Sequence, residues 1–582
     1  MPQERFRALD DFRVRAVLVC GFLGLVSALT FDPKLYVSGD NVEYILLGQR
    51  VLREGVLWGS RKFPPFFPLL LSPIQAFWGI AWVPQKIFVS LLYVATGPLF
   101  LRMAERVLPR RLALPVTALA LISIPVLEFS HYVMSEVPYL LLFTAALVAG
   151  ERLFRVPGGQ VSCASARTRT GSPAASPVAP PSALPTSPQS AASRSTTRTA
   201  LLLFFLFSGC AFYTRSVGLV LSAALVSLAL LERRWRFALA GVGLTGVVLI
   251  PWIFHTYFSG LGGETYLTQV LRINPYYPEE GLLTPAALFD RVAHNAARYF
   301  TVEIPRLLAP LAFESTYLPR PEVHIAWPAY LWGLPLLLLL AGVLRGMVRL
   351  PLTTTALLLS LLVCLLWPPI WTSVRFIIPL VPLLILFFLA GIHASMGWIG
   401  PLRRWAGLAT TVFLVLLLAL GGRNLHLYDQ ETREYPRPWA YYFEAAQWAG
   451  DHLPTGSLVV DRKAAMFTLV SGLPAISFPR EEDPDRMVAH FRERGVRFVH
   501  ASSIPYDDLP RFLFPTIRQR PEYFAPHWRT EQVSGMMSAI LEFDPAGRGV
   551  GLPEHIRRER LEDKAAGRGP PNGTTGSRAA GP

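Results

Sequence analysis

The sequence predicts a mainly α, polytopic membrane protein, with about eleven spanning helices, additional interfacial helices and a small C-terminal extracytoplasmic α/β domain. Three observations predict it. The 582 residues are 52% hydrophobic and only 16% charged, with a mean hydropathy of +0.37, a balance that suits a bilayer rather than water. The apolar residues gather into long runs separated by arginine-bearing loops. After residue 430 the pattern changes to short helix and strand signals in alternation. The net charge of +15 would also fit a nucleic-acid binder. However, the arginines cluster at the ends of apolar runs, where they act as topology determinants, so nucleic acid is set aside as a partner.

The apolar runs lie near 15–31, 84–101, 112–127, 134–151, 200–214, 216–231, 237–256, 326–344, 351–367, 376–395 and 405–421. The N-terminus, with Arg5, Arg7, Arg13 and Arg15 before an apolar stretch, resembles a signal peptide. No small-residue cleavage site follows, because Phe31-Asp32-Pro33-Lys34 comes next, so an uncleaved first helix is expected. Loop arginines fall into four groups: Arg102, Arg106, Arg110 and Arg111; Arg233, Arg234 and Arg236; Arg345 and Arg349; Arg403 and Arg404. With eleven helices all four groups share the N-terminal side, which the positive-inside rule makes cytoplasmic. This count reads 200–231 as two helices broken at Arg215-Ser216-Val217-Gly218; a single helix there would invert everything downstream.

The membrane domain is thus assigned to 1–429. Within it, 157–199 is rich in Pro, Ser, Ala and Thr and reads as a disordered cytoplasmic linker. Residues 257–325, rich in Tyr, Pro and acidic residues, form a large external loop. Residues 41–54 place Val42, Ile45, Leu46, Val51 and Leu52 at helical spacing between polar positions, as in a helix lying in the interface plane. Residues 62–80 read as a second interfacial or re-entrant piece, because their prolines oppose a regular span. The α/β domain is assigned to 430–545, with helices over 439–453 and 484–494 and strands at 457–460 and 496–500. Residues 546–582 read as a disordered tail, where the sequon Asn572-Gly573-Thr574 reads as chance.

Candidate chemistry lies on the outer side. Asp40 and Glu43, three residues apart, share one helix face. One reading is a cap, with Asp40 capping a helix that begins at Asn41 and Glu43 completing a capping box. The other is a general base that takes a proton from an acceptor hydroxyl; the two are compatible. Glu136 opens a spanning helix and is either an acid stabilised by the helix dipole or a second acid that positions the acceptor or holds a cation. Lys62, Arg215 and Arg375 lie outside against the positive-inside trend. Each alone reads as snorkelling to head groups; together they favour an anionic ligand, and phosphate suits both the arginine fork and the lysine point charge. Other signals fail. Gly241-Val242-Gly243-Leu244-Thr245-Gly246 lies inside an apolar span with no preceding strand. The eleven histidines are scattered, so no zinc site is supported. The four cysteines have neither metal nor redox spacing, and no structural disulfide is expected.

On these residues the chain resembles the GT-C membrane glycosyltransferases, particularly bacterial relatives of the dolichyl-phosphate-mannose–protein mannosyltransferases and the lipid A aminoarabinose transferase. The motifs that carry the resemblance are Gly39-Asp40-Asn41-Val42-Glu43-Tyr44, the stretch Lys62-Phe63-Pro64-Pro65 through Pro68-Leu69-Leu70-Leu71, Met134-Ser135-Glu136-Val137-Pro138, Thr214-Arg215-Ser216-Val217-Gly218-Leu219 and Arg375-Phe376-Ile377-Ile378-Pro379-Leu380-Val381-Pro382. They run in family order over most of residues 10–500. The resemblance implies a polyprenyl-phosphate sugar donor and an inverting transfer, at the outer face of the inner (plasma) membrane, to a hydroxyl of a glycan, lipid or protein. It casts Asp40 as base, Glu136 as second loop acid, and Lys62, Arg375 and Arg215 as phosphate contacts, with Glu43 beside them. No cofactor is required by this chemistry, and no residue pattern supports a divalent cation. The alternatives are a transporter or flippase of lipid-linked saccharides, which needs charged or broken helices at the midplane, and a non-catalytic membrane scaffold.

Overall fold

A computed structural model describes residues 11–154, 189–260, 265–308, 329–371, 373–398, 400–432, 434–531 and 535–548. They fall into two compact units. The first comprises Met1–Tyr36, Tyr44–Ser315 and Arg320–Glu431; the second comprises Val37–Glu43, Thr316–Pro319 and Thr432–Pro582.

The helices up to residue 432 are α1 (Phe12–Leu29), α2 (Gly39–Glu54), α3 (Phe66–Trp78), α4 (Trp82–Val107), α5 (Arg110–Leu121), α6 (Ile124–Ser130), α7 (Glu136–Gly150), α8 (Gln189–Thr214), α9 (Leu219–Leu231), α10 (Trp235–Phe258), α11 (Tyr266–Val270), α12 (Pro285–Arg298), α13 (Ile304–Leu308), α14 (Ala329–Arg349), α15 (Pro351–Leu366), α16 (Val374–Ile377), α17 (Val381–Trp398) and α18 (Ala406–Thr432). Among the described residues, each of the eleven apolar runs falls largely on helix. Among the described residues, six stretches are long and apolar enough to cross a bilayer alone: α1, α4, Thr197–Thr214, α10, Val374–Trp398 and Gly400–His426. The pair α5 and α6, bent by 63°, makes a seventh if read as one span. Glu136–Gly150, Ser216–Leu231 and α15 are apolar but shorter. At 1.5 Å per residue they fall short of the roughly 20 residues that a 30 Å hydrocarbon layer needs.

Two expected boundaries move. Helix α8 begins at Gln189, inside the segment 157–199 read as linker; Ala and Arg are good helix formers and extend the apolar helix that follows. Residues 155–188 and 549–582, read as linker and tail, lie outside the described residues. Helix α2 begins at Gly39 instead of Asn41, so Asp40 lies in its first turn and not at the cap. A carboxylate is stabilised there by the N-terminal end of the helix dipole.

Packing in this unit relies on small residues. A Cβ on Gly342 would sit 1.6 Å from the Phe387 carbonyl oxygen, and one on Gly391 would sit 1.7 Å from that of Leu338. The backbones of α14 and α17 therefore touch, as small residues allow between membrane helices. Arg15 and Glu151, both buried, have close polar partners. Arg15 Nη2 is 2.9 Å from Glu105 Oε1. Glu151 Oε1 accepts hydrogen bonds from the Thr353 amide (2.7 Å) and hydroxyl (2.8 Å), capping the start of α15.

In the second unit α19 (Arg437–His452), α20 (Ala464–Ser471), α21 (Pro484–Glu493) and α22 (Phe514–Gln519) accompany strands β1 (Val459–Val460), β2 (Ala475–Ile476), β3 (Phe498–Ser502), β4 (Phe524–Arg529) and β5 (Ser538–Phe543). The sheet order is β2-β1-β3-β5-β4. Helical crossovers make β2, β1 and β3 parallel, whereas β5 runs antiparallel to β3 and β4. Ala445, Ala449, Val459, Phe467, Phe498 and Ile540 form the core under α19. The β4–β5 register shifts between Pro526 and Trp528, since Pro526 cannot donate to the ladder.

The glycine seam gives a direct test. Gly391→Val should destabilise the first unit by about 3 kcal/mol or more, at or beyond the upper end of overpacking costs, because backbone cannot yield as a flexible side chain does. The measurement is the unfolding midpoint in detergent, with Gly397→Ala, where a Cβ meets nothing within 4 Å, as the neutral comparison.

Candidate active site

The strongest polar constellation in the first unit is built on Glu136. Helix α7 starts at this residue, and Pro138 is tolerated in its first turn, where an amide would have no helical acceptor. The Glu136 side chain is fully buried. Its Oε1 lies 2.6 Å from Arg215 Nη1 and accepts a 2.8 Å hydrogen bond from Arg375 Nε. Both guanidinium groups are partly shielded, with side-chain exposures of 16% and 28%. The three groups carry a net charge of +1 in a poorly solvated place.

Local structure explains how each arginine gets there. Helix α8 stops at Thr214, Arg215 is extended (φ −147°, ψ 130°), and Ser216–Gly218 form a 3₁₀ turn into α9. That reversal needs glycine at 218, where a Cβ would lie 2.5 Å from the Phe212 amide nitrogen and 2.6 Å from the Ala211 carbonyl carbon. Arg375 projects from the short helix α16.

Aromatic residues connect this pair to Lys62. Tyr44, fully buried on α2, donates a 2.9 Å hydrogen bond to Ser135 Oγ, one residue before Glu136. Its ring packs edge-on against Phe63 (4.9 Å) and Phe67 (5.0 Å). Burial pushes the Tyr44 hydroxyl above its ordinary pKa, and Tyr266, Arg215 and Glu136 are all close enough to act on it electrostatically. Tyr266 in turn lies under Lys62, whose Nζ is 5.8 Å from the Tyr266 ring and 4.9 Å from that of Phe63. The Tyr266 ring meets Trp367 at 5.8 Å, and Trp367 meets Phe376, beside Arg375, at 5.5 Å. The loop before Lys62 is pinned. Ser60 Oγ accepts from the amides of Lys62 (3.1 Å) and Phe63 (3.0 Å), and Arg61 Nε donates to the Thr256 carbonyl (2.6 Å) at the end of α10.

The structure therefore brings Glu136, Arg215 and Arg375 into contact and links Lys62 to them through Tyr266. Asp40 lies half-buried in the first turn of α2 and Glu43 lies exposed just beyond it, both in the stretch that groups with the second unit. Sequence reasoning gave no role to Tyr44, Ser135 or Tyr266, although Tyr44 and Ser135 lie in the stretches that carry the resemblance. It also missed Asp32, which is buried after α1 and 2.7 Å from Lys34 Nζ. Burial opposes its charge, yet the Lys86 ammonium and the Lys34 side chain and amide hold its carboxyl below the ordinary value. The Gly241–Gly246 pattern lies within α10.

The Glu136 constellation makes a sharp prediction. Glu136→Ala removes a carboxylate shared by both guanidinium groups and leaves two partly shielded positive charges side by side. Loss of one partner from such a site costs about 3–5 kcal/mol. The unfolding midpoint should fall steeply, whereas Glu43→Ala, on an exposed side chain, should leave it within about 0.5 kcal/mol of wild type.

No family model matches the sequence, and no curated protein matches it. Solved structures do. One is the archaeal oligosaccharyltransferase AglB from Archaeoglobus fulgidus in complex with an inhibitory peptide and a dolichol-phosphate; the match covers 90% of this chain and 74% of that one, with TM-score 0.52 and 11% identity. Another is ArnT from Cupriavidus metallidurans bound to undecaprenyl phosphate, covering 90% of this chain and 97% of that one, with TM-score 0.52 and 14% identity. Apo ArnT from the same organism matches with TM-score 0.51. At these identities the likeness establishes architecture, and the chain has a GT-C-like polytopic membrane fold.

Proposed function

We propose that this protein is a membrane glycosyltransferase that moves a sugar from a polyprenyl-phosphate donor to a hydroxyl acceptor on a glycan, a lipid or a protein. The observation that carries the reading is the cationic constellation of Arg215 and Arg375 around buried Glu136, with Lys62 linked to it. Two guanidinium groups meet at one carboxylate, and Arg and Lys suit phosphate in complementary ways. The fold likeness to enzymes solved with dolichol-phosphate and undecaprenyl phosphate supports the same donor class.

In this reading the acceptor hydroxyl gives its proton to Asp40 as its oxygen attacks the anomeric carbon. The bond from that carbon to the phosphate oxygen breaks, and the lipid phosphate leaves toward Lys62, Arg215 and Arg375. Configuration inverts because one displacement occurs. Glu136 acts through the arginines, fixing their orientation for the developing charge, as preorganised electrostatic sites do. At 4 Å and an effective dielectric near 20, each cation–phosphate pair contributes roughly 4 kcal/mol before desolvation. A phosphate leaving group so stabilised needs little protonation, and the step as drawn balances without a cofactor. Glu43, exposed just beyond the turn that carries Asp40, is assigned to acceptor contact. The reaction is placed at the outer, periplasmic face of the inner membrane, on the side opposite the arginine-rich loops.

Two outcomes test this. Purified protein supplied with a polyprenyl-phosphate sugar should release polyprenyl phosphate and glycosylate an acceptor. Asp40→Asn should lower kcat by about 10²–10⁴-fold, the contribution of a general base, with unchanged membrane insertion; near-normal transfer in that variant would remove Asp40 from the role. Lys62→Ala should raise the donor KM by about 10-fold or more, on the order of one lost charge-assisted contact, as read from initial rates against donor concentration.

A further inference from the structure

The second unit contains a buried polar chain to which the proposed reaction assigns no part. Asp461 follows β1 directly, and its Oδ2 lies 2.7 Å from His500 Nδ1 on neighbouring β3. His500 Nε2 lies 2.8 Å from Ser538 Oγ on β5. The Tyr442 hydroxyl donates to Asp461 Oδ1 at 2.9 Å. Asp461, His500, Ser538 and Tyr442 are all completely buried. The order Ser–His–Asp resembles a hydrolytic triad, but a serine with no exposed surface cannot meet a substrate. The chain instead ties down a neighbouring stretch of backbone.

What it holds is Lys463. The Asp461 carboxylate accepts the Lys463 backbone amide, and the Tyr442 hydroxyl lies 3.3 Å from the Lys463 carbonyl oxygen. Both backbone groups of one residue are thus tied to the same buried network. The side chain is directed as well: Lys463 Nζ lies 4.4 Å from the Tyr506 ring centroid. Arg462 shares that ring at 4.9 Å and is anchored to Asp508 at 2.7 Å. So directed, Lys463 Nζ stands 3.6 Å from the position a Cβ on Gly39 would occupy. Gly39 is the first residue of α2, and Asp40 lies in that first turn. Both segments belong to the second unit.

A cation at a helix N-terminus opposes the helix dipole. The first turn of α2 also carries the acidic Asp40. We infer that Lys463 is a positioning residue for the Asp40 turn, held by the buried Asp461–His500–Ser538 chain so that its ammonium fixes where α2 begins. The inference rests on the role proposed above for Asp40.

The experiment compares full-length wild type, Lys463→Met and Lys463→Arg in two measurements. The first is transfer from a polyprenyl-phosphate sugar. Lys463→Met should lower kcat about 10-fold with donor KM unchanged, and Lys463→Arg should restore most of it. The second is amide hydrogen exchange over residues 37–43, which should speed up in Lys463→Met, return toward wild type in Lys463→Arg, and leave the core strands β3 and β5 unaffected. Wild-type turnover and wild-type exchange in Lys463→Met would overturn the inference, as would faster exchange throughout the second unit, which would mean that Lys463 only supports the domain. Asp40→Asn run in parallel separates the two ideas. If that variant stays active, the base assignment fails while the exchange arm still decides whether Lys463 holds the turn.

Discussion

A buried carboxylate shared by two arginines organises the first unit's polar site. Glu136 has no exposed surface, and taking its charge out of water would cost several kcal/mol without partners. Arg215 and Arg375 supply them from farther along the chain, the latter 239 residues away. The break at residues 215–218, the glycine at 218 and the short helix α16 all acquire a purpose from this contact, because each delivers a guanidinium to one carboxylate oxygen.

The second unit solves a related problem differently. Its buried Asp461 is held by a histidine, a tyrosine and a backbone amide, with no arginine in the contact. Such fully connected networks rigidify what they touch, whereas half-connected ones cost stability. Placing the network at the carboxyl end of β1 follows the general habit of open parallel sheets, where side chains beyond the strand ends are free for tasks other than packing.

The fold class was legible because bilayer crossing leaves a coarse, redundant signal: long apolar runs and arginine-rich loop ends. The individual site charges were legible for a related reason, since a carboxylate or cation at a helix end beside the membrane is rare. Their pairing was not. Read singly, Arg215 and Arg375 are indistinguishable from residues that reach for lipid head groups, and only the folded chain shows that both turn toward Glu136. Boundaries were lost where two tendencies compete. The Ser, Thr and Ala before residue 200 look like linker by composition, yet the helix continues through them from the apolar run. Asp40 reads as a cap before Asn41, yet the helix already opens at Gly39. Tyr44 and Tyr266 were given no role, because an aromatic near the interface usually serves as an anchor.

The shape of the C-terminal sheet has a consequence for how the protein survives among its neighbours. Both outer strands are poor templates: β2 contributes only two residues, and β4 is broken by Pro526 and a register shift. A foreign strand would find few unpaired amides in sequence on either border. The parallel strands β1 and β3, rich in valine and the most adhesive part of the sheet, are enclosed between those borders. Both borders of the unit thus discourage edge-to-edge strand pairing.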